Sequence, residues 1–254
     1  IIADETSSIS RMLEIAKSDY NAKRYSKRRE KTLNLVGKQR SKLRDSLMPS
    51  YEKGKIRPTL LVDAIDTELE KIGGGYITNE QFAARYDAVS PGLSERNNIL
   101  MKGAGGSEGW GVGAGIGAKL AVGEKPVIGL VGDGSLYYAD SGLWTAVHHN
   151  VPLLYVIPNN EAYGIVAGFF GQSGGRMSDT GSYQGVVLDG IDPVKIADAF
   201  GMEGERVDDE EKLNKTIERA LEIVMEQNRP YLLDVRLPLG LPEGGVADQQ
   251  YRMK

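Results

Sequence analysis

The side chains with the clearest chemical potential lie between residues 132 and 160. The segment opens with a Gly-Asp-Gly-Ser motif at 132–135 and closes with Asn159-Asn160, so that the second asparagine follows the aspartate by 27 residues. Asp133 offers a carboxylate and Asn160 an amide oxygen, and hard cations such as Mg²⁺ bind oxygen ligands together with phosphate and water. The flanking glycines let a phosphate approach the backbone, and Ser135 has a hydroxyl to donate to it. These residue types indicate a site for a metal-bound phosphate.

The apolar pattern around this segment predicts the elements that position it. Residues 127–131 form a short apolar run typical of a buried strand, and residues 152–157 form a second one. Between them, residues 140–149 carry apolar side chains at helical spacing, and such a helix would turn its positive end toward the motif. A strand, a helix and a strand in sequence form a βαβ unit with parallel, adjacent strands. Asp133 and Asn160 are therefore expected at neighbouring carboxyl ends, where open α/β sheets bind ligands.

The complete pattern resembles the diphosphate-binding signature of thiamine diphosphate enzymes. A lone Gly-Asp-Gly is also an ordinary turn, so the resemblance depends on the spacing to Asn159-Asn160. Together with Leu143-Trp144-Thr145-Ala146 and Tyr163-Gly164, the motifs are most similar to the benzoylformate decarboxylase branch, in a superfamily that also holds acetolactate synthase and pyruvate decarboxylase. The resemblance covers roughly residues 55–237. It implies an α/β fold with a doubly wound, mostly parallel sheet and helices on both faces, and thiamine diphosphate and Mg²⁺ as cofactors.

The resemblance also implies a role for each matching residue. Asp133, Asn160 and the backbone carbonyl of Ala162 would bind Mg²⁺, while Ile165 and Val166 would line the substrate pocket. The residues implied to contact the cofactor are Gly106, Glu108, Gly132, Asp133, Gly134, Ser135, Asn160, Tyr163 and Gly164.

Two positions depart from the family pattern. Counted back from Gly109-Trp110, Glu108 falls where the family carries Leu, Ile or Met, a bulky residue that props the cofactor into a bent shape. Either the gap in the glycine-rich loop belongs one or two residues away, or Glu108 stands as a polar group beside the thiazolium, where it would be a catalytic acid–base candidate. The second departure is at residues 81–83, where Gln, Phe and Ala replace hydroxyl groups that contact the diphosphate in the resembled branch.

The family order of domains predicts what surrounds the cofactor domain. Residues 1–52 are interpreted as the end of a preceding middle domain plus a linker, because helical patterns at 5–24 and 30–48 have too little apolar surface for a core. Residues 53–254 are interpreted as the thiamine diphosphate domain with a flexible C-terminal tail. In the family, a Glu from the pyrimidine-binding domain of a neighbouring subunit activates the cofactor, and no part of this chain matches that domain. The expected partner is a pyrimidine-binding domain of the same or a partner chain, in a homo- or hetero-oligomer such as a dimer of dimers.

The reaction implied by the resemblance is cleavage or formation of a C–C bond next to a carbonyl. The similarity of the motifs to the benzoylformate decarboxylase branch favours decarboxylation of a 2-oxo acid. An acetolactate synthase-like carboligase and a 2-hydroxyacyl-CoA or oxalyl-CoA lyase remain open, which leaves a 2-oxo acid or an acyl-CoA as substrate. A non-catalytic cofactor-binding subunit or fragment is the alternative of another class, since the chain begins with Ile and reads as processed or as a piece of a longer protein.

The composition of the chain excludes several other classes of protein. The chain of 254 residues has no cysteine, which excludes disulfides and Cys-ligated zinc. No apolar run is long enough for a membrane span and no signal peptide is recognisable, so the cytoplasm is the expected location. Residues 1–50 hold 12 Lys and Arg against 6 Asp and Glu. These charges are interleaved and lack aromatic stacking partners, which indicates a solvated helical surface and no nucleic-acid partner.

Three further patterns complete the prediction. Residues 113–118 match a weak dinucleotide fingerprint, but the preceding strand ends too early, so a closely packed helix is predicted instead. His148 and His149 point about 100° apart on a helix and cannot chelate one metal together. Residues 168–175 form either a mobile lid or a long loop.

Further strands are predicted at 76–78, 98–101 and 231–235, and further helices from Pro58, at 192–200 and at 209–228.

Overall fold

A computed structural model of the chain describes residues 4–18, 22–47, 53–84, 98–103 and 107–240. The chain divides into two compact units, residues 1–48 and 49–254. The first unit holds helix α1 (Glu5–Ser18) and helix α2 (Ala22–Leu47). No residue of α1 is buried, and its apolar side chains, Ile9 and Met12 among them, are exposed. Both predicted helices are present, but α1 ends earlier and α2 begins sooner than the apolar pattern indicated.

The second unit alternates strands and helices along the chain. Its strands are β1 (Tyr76–Glu80), β2 (Ile99–Lys102), β3 (Val127–Val131), β4 (Leu154–Asn159), β5 (Gly204–Val207) and β6 (Tyr231–Arg236). Its helices are α3 (Pro58–Lys71), α4 (Trp110–Val122), α5 (Asp133–Ala139), α6 (Gly142–His148), α7 (Gly164–Ser173), α8 (Arg176–Thr180), α9 (Pro193–Ala199) and α10 (Leu213–Glu226). No described helix has the length and apolar character needed to span a bilayer.

All six strands are parallel, in the order β2-β1-β3-β4-β6-β5. The chain moves from β1 outward to β2 and then returns to the other side of β1 with β3. The winding direction therefore reverses between β1 and β3, and a crevice for ligands opens at the carboxyl ends of strands on either side of such a reversal. Strand β4 lies beside β3, as the βαβ prediction required. The predicted doubly wound α/β fold is confirmed, with a sheet that is parallel throughout the described residues.

Helices cover both faces of this sheet because its inner strands alternate apolar side chains between the two sides. Tyr155 and Ile157 of β4 belong to one buried cluster with residues of α4, α6 and α9. Leu154 and Val156, which alternate with them along β4, are equally buried and face the other side of the sheet. On that side α10 packs on β4 and β6 and contacts α3. An all-parallel sheet needs such cover on both faces, because its central strands are apolar on both.

The structure corrects three local predictions. The helix predicted at 140–149 is α6, and a separate helix, α5, begins at Asp133 itself, with the Leu136 N–H donating to the Gly132 carbonyl at 2.9 Å. Pro158 lies inside β4 rather than after it. It is tolerated because the ladder from β3 to β4 ends at Val156, so no neighbour on that side needs an N–H from Pro158. Residues 164–173 form helix α7, so the segment at 168–175 begins as a helix and not as a loop.

Strand β5 had no counterpart in the predicted elements. It lies at one edge of the sheet and carries Glu205, which is partly buried, and Arg206, which is exposed. Charged residues are usual on edge strands because one side of the strand faces water. Because two of its four residues are charged, β5 has no apolar run like those by which the other strands were predicted.

Candidate functional site

A cavity opens at the carboxyl ends of β1, β3 and β4, next to the point where the winding reverses. It is lined by Gln81, Phe82, Ala83, Glu108, Gly132, Asp133, Gly134, Ser135, Tyr138, Pro158, Asn160, Ala162, Tyr163, Gly164, Ile165 and Val166. The structure thus brings residues from four separated segments to one wall. Every predicted site residue that the structure describes lines this cavity, whereas Gly106 lies outside the described residues.

Asp133 is the most unusual group in the cavity. It is the first residue of α5 and only 2% exposed, and its Oδ2 has no hydrogen-bond partner. Burial raises the pKa of this carboxyl to about 7, although the backbone N–H groups of Gly134 and Glu161 favour the charged form. A buried carboxylate oxygen without a partner costs free energy unless a ligand compensates it. Asp133 is therefore suited to bind a cation.

Asn160 and Ala162 line the same cavity, and each carries an oxygen that could bind a cation. Asn160 is buried, and its side-chain amide donates to the carbonyl of Gly240, whose N–H returns a bond to the Asn160 carbonyl at 3.0 Å. With its nitrogen engaged, Asn160 has the amide oxygen left for a cation. Ala162 is held by a bridge to Val187. Clusters of three or more His, Cys, Asp or Glu that suit a metal are absent from the described residues, so a cation in this cavity would depend on one carboxylate, one amide and one carbonyl.

A buried polar network fixes the backbone that carries Asn160 and Ala162. The amide of Asn159 donates to Asp234 at 2.8 Å, and its oxygen accepts the N–H of Glu161 at 3.2 Å. Asp234 is completely buried and also accepts from the Arg206 guanidinium at 2.9 Å. Glu161 has a positive φ of 53°. The network therefore holds in place the turn that orients Asn160 and Ala162.

The side chain of Glu161 ties the same turn to two other segments. It forms ion pairs with Lys55, at 3.3 Å, and with Arg236 at the end of β6. These groups hold the pKa of Glu161 below its usual value despite the opposing effect of burial. The turn after β4 is therefore braced from both sides.

The sequence analysis did not single out Asp234 or Arg206. The one local signal was a carboxylate inside the apolar run of β6, because a lone buried charge in a strand requires a partner. The partner itself comes from β5, which the apolar pattern did not reveal.

Gly134 is required by close packing. A β-carbon at this position would lie 2.7 Å from the ring of Tyr163, and such separations do not occur without displacement of the neighbour. Tyr163 in turn lies 5.9 Å, ring centre to ring centre, from Tyr138. The Gly-Asp-Gly motif thus has two consequences. It leaves its backbone open to the cavity, and it lets the Tyr163 ring pack directly against Gly134.

Two further carboxylates, Glu80 and Glu108, lie near the start of α4. Glu80, at the end of β1, is buried and accepts the backbone N–H groups of Gly109, at 2.5 Å, and Gly111. A β-carbon at Gly111 would meet the Glu80 carboxylate at 2.5 Å, which explains the glycine there. Burial raises the pKa of Glu80, and the nearby charge of Glu108 adds to that rise. Glu108 is exposed and accepts the Ser135 hydroxyl at 2.7 Å.

Residues 81–83 follow Glu80 and complete the cavity wall. Gln81 holds this turn through bonds with the backbone of Ala84 and with Asn79. Phe82 and Ala83 offer the cavity apolar surface, and none of the three residues carries a hydroxyl. Tyr138 and Pro158 also line the cavity, although no sequence motif pointed to them.

The fold and the cavity agree with what comparison with known proteins shows. The profile of the family described as "Thiamine pyrophosphate enzyme, C-terminal TPP binding domain" matches residues 79–235, which is more than half of the chain. The chain belongs to this family of thiamine pyrophosphate enzymes. The resemblance read from the Gly-Asp-Gly and Asn-Asn motifs is thereby confirmed.

Individual relatives of the chain include decarboxylases and a synthase. It is 30% identical over 188 residues to benzoylformate decarboxylase from Pseudomonas aeruginosa, covering 72% of this chain and 33% of that protein. It is 27% identical over 205 residues to the acetolactate synthase isozyme 3 large subunit of Escherichia coli, covering 76% and 34%. A solved 4-hydroxybenzoylformate decarboxylase from Rhodococcus jostii RHA1 superposes with a TM-score of 0.62 at 26% identity, covering 76% and 34%. The chain thus spans about a third of the length of these relatives.

Proposed function

We propose that the cavity binds the diphosphate of thiamine diphosphate through Mg²⁺, and that the protein cleaves or forms a C–C bond next to a carbonyl. The observation that carries this proposal is the buried, unpartnered carboxylate oxygen of Asp133. The charged side chains among the described lining residues are Asp133 and Glu108, and both are acidic. A diphosphate entering such a wall needs a divalent cation to offset its charge.

The residues present fit such a group. Asp133, Asn160 and the Ala162 carbonyl would hold Mg²⁺, and the backbone at Gly132 and Gly134 leaves room for phosphate oxygens. The cofactor-contacting set we propose also includes Gly106, Glu108, Ser135, Tyr163 and Gly164. Thiamine diphosphate, when bound, supplies an electron sink for bonds next to a carbonyl, while the protein orients it and excludes water.

The metal assignment is tested by calorimetric titration of the intact protein with thiamine diphosphate and Mg²⁺. Asp133→Ala and Asn160→Ala each remove one oxygen ligand, so both should abolish Mg²⁺-dependent binding. The matched control is Asp198→Ala, which changes an exposed carboxylate on α9. Unchanged affinity in both site variants would refute the metal assignment.

For the reaction, we infer decarboxylation of a 2-oxo acid with an apolar side chain. Ile165, Val166 and Phe82 line the cavity and give it apolar surface, and the resemblance assigns the first two to the substrate pocket. The similarity to benzoylformate decarboxylases supports the same class. Carboligation is the second candidate, because acetolactate synthases are also among the relatives. Product analysis with benzoylformate and with pyruvate separates the two, since both release carbon dioxide but a free aldehyde indicates the first and a longer 2-hydroxy-3-oxo acid, formed from two pyruvates, the second.

Because the chain covers a third of its relatives, we propose that a pyrimidine-binding domain, on the same or a partner chain, completes the site in an oligomer. The activating Glu would come from that domain. Sedimentation of the intact, active protein checks this expectation, and an active monomer would contradict it.

We also propose Glu108 as the acid–base that exchanges a proton with the substrate. It lines the cavity, and the Ser135 hydroxyl fixes its Oε2. Glu108→Gln keeps the shape and removes the exchangeable proton, so turnover should fall about 10²-fold or more while the cofactor still binds. Glu108→Leu restores the family's apolar prop, which should offset the lost charge, so this variant should bind the cofactor at least as well and remain slow. Full activity of Glu108→Gln would show that the residue serves only as a spacer.

A further inference from the structure

Three carboxylates gather at the cavity, and they differ in what already compensates their charge. Asp133 is buried among backbone N–H groups and takes the metal in the proposed site. Glu80 accepts two backbone N–H groups at the start of α4 and is buried behind the wall. Glu108 is exposed, and its hydrogen bond in the described structure comes from the neutral hydroxyl of Ser135. Of the three, Glu108 is the one whose charge is available to a ligand.

In the part of the cavity wall that the structure describes, no opposite charge faces Glu108. Among the described residues that line the cavity, none is Lys, Arg or His. Glu80 is a charged neighbour of Glu108, because the pKa of Glu80 is raised first by burial and then in part by the charge of Glu108. A fixed negative charge at a cavity wall, next to another negative charge, favours a ligand that brings a cation to it. Mg²⁺ would offset Asp133 and the diphosphate, at the wall formed by Asn160 and Ala162.

We propose that Glu108 is the counter-charge for the cationic ring of the bound cofactor, and that it makes the site select a positively charged ring over a neutral ring of the same shape. This inference rests on the proposed function of the site. Ser135 acts as a positioning residue, because its hydroxyl holds the carboxylate at 2.7 Å. The family's usual apolar residue at this position cannot make that selection, since it carries no charge.

The test compares two ligands that differ only in ring charge. One is thiamine diphosphate, and the other is its analogue with carbon in place of the quaternary ring nitrogen, which is neutral. Dissociation constants of both are measured by calorimetry on the intact protein with saturating Mg²⁺. The quantity of interest is the ratio of the two constants, because a loss of folded protein or of diphosphate binding affects both ligands alike and cancels.

Glu108→Gln should shift this ratio about fivefold toward the neutral analogue, the scale of a partly exposed charge pair. Glu108→Leu should shift it in the same direction, and Ser135→Ala by less, because the carboxylate remains but is no longer held. Glu222→Gln, an exposed carboxylate on α10, is the control and should leave the ratio unchanged.

An unchanged ratio in both Glu108 variants would overturn the inference. Failure of the unaltered protein to bind either ligand in the presence of Mg²⁺ would instead refute the proposed function. The two failures are therefore distinguishable within one set of titrations.

Discussion

Replacing Asp133 by Asn should stabilise the metal-free protein while it abolishes metal-dependent cofactor binding. The Asp133 carboxyl has its pKa raised from 3.8 to about 7 by burial. Each unit of pKa corresponds to about 1.4 kcal/mol, so the buried charge costs up to about 4 kcal/mol when nothing compensates it. The amide has a similar shape and no charge, but it must still satisfy its own polar atoms. A net gain of about 2 kcal/mol is expected, or about 4–8 °C in the melting temperature of a domain of this size.

The pH dependence gives this prediction its sharpest form. Because the folded-state pKa lies above the unfolded value, the folded protein binds the Asp133 proton more tightly. The cost is absent below pH 3.8, grows as the pH rises toward about 7, and is complete above that. The stability difference between Asp133→Asn and the unaltered protein should therefore be full at pH 8 and shrink as the pH falls toward 4.

Thermal and urea unfolding with a chelator present, at several pH values, measures this difference directly. Adding Mg²⁺ and thiamine diphosphate should reverse the order of stability, because ligands stabilise only the protein that binds them. Asp198→Asn on the exposed face of α9 is the matched control and should show neither effect. If Asp133→Asn is less stable than the unaltered protein in chelator at pH 8, the carboxylate is already compensated in the empty fold and the reasoning fails.

Two further substitutions test the packing around the site. Gly134→Ala places a β-carbon 2.7 Å from the Tyr163 ring and should cost about 1–3 kcal/mol in urea unfolding. The control Gly113→Ala, in open space on helix α4, should instead be neutral or stabilising; equal effects of the two would refute the packing argument. Asp234→Ala removes the acceptor of the buried Asn159 amide and should cost about 1–3 kcal/mol. It should also weaken cofactor binding in calorimetry, and unaltered affinity would show that the network does not position the turn that carries Asn160 and Ala162.

The motifs and the nearest elements could be read from the sequence because each is local. The apolar run of β3 and the one that becomes β4 are short, continuous and rich in β-branched residues, which is how buried parallel strands appear. A βαβ connection then leaves little choice in handedness or neighbourhood. Asp133 and Asn160 were thus predicted on one edge of the sheet, and the structure places both on one cavity.

The start of α5 shows where local reading fails. A Gly-Asp-Gly sequence has poor helix propensity and reads as a turn. In the fold, Asp133 and Gly134 are buried and helical nonetheless, because the chain must turn away from β3 while Tyr163 packs against Gly134. Tertiary packing overrides the local preference at the residue on which the site depends.

By itself, the sequence determined the family and the parallel βαβ unit, and it predicted Asp133 and Asn160 at one edge of the sheet, since these depend on residue type and on spacing along one stretch of chain. Only the tertiary structure decided which carboxylates keep a free charge. Glu80 and Glu108 are 28 positions apart and are the same residue type, yet the first accepts the backbone N–H groups of Gly109 and Gly111, whereas the second faces the cavity. Asp234 likewise acquires Arg206 from an edge strand. The electrostatic state of a side chain depends on burial and on partners brought from distant segments, and neither is encoded in its own neighbourhood.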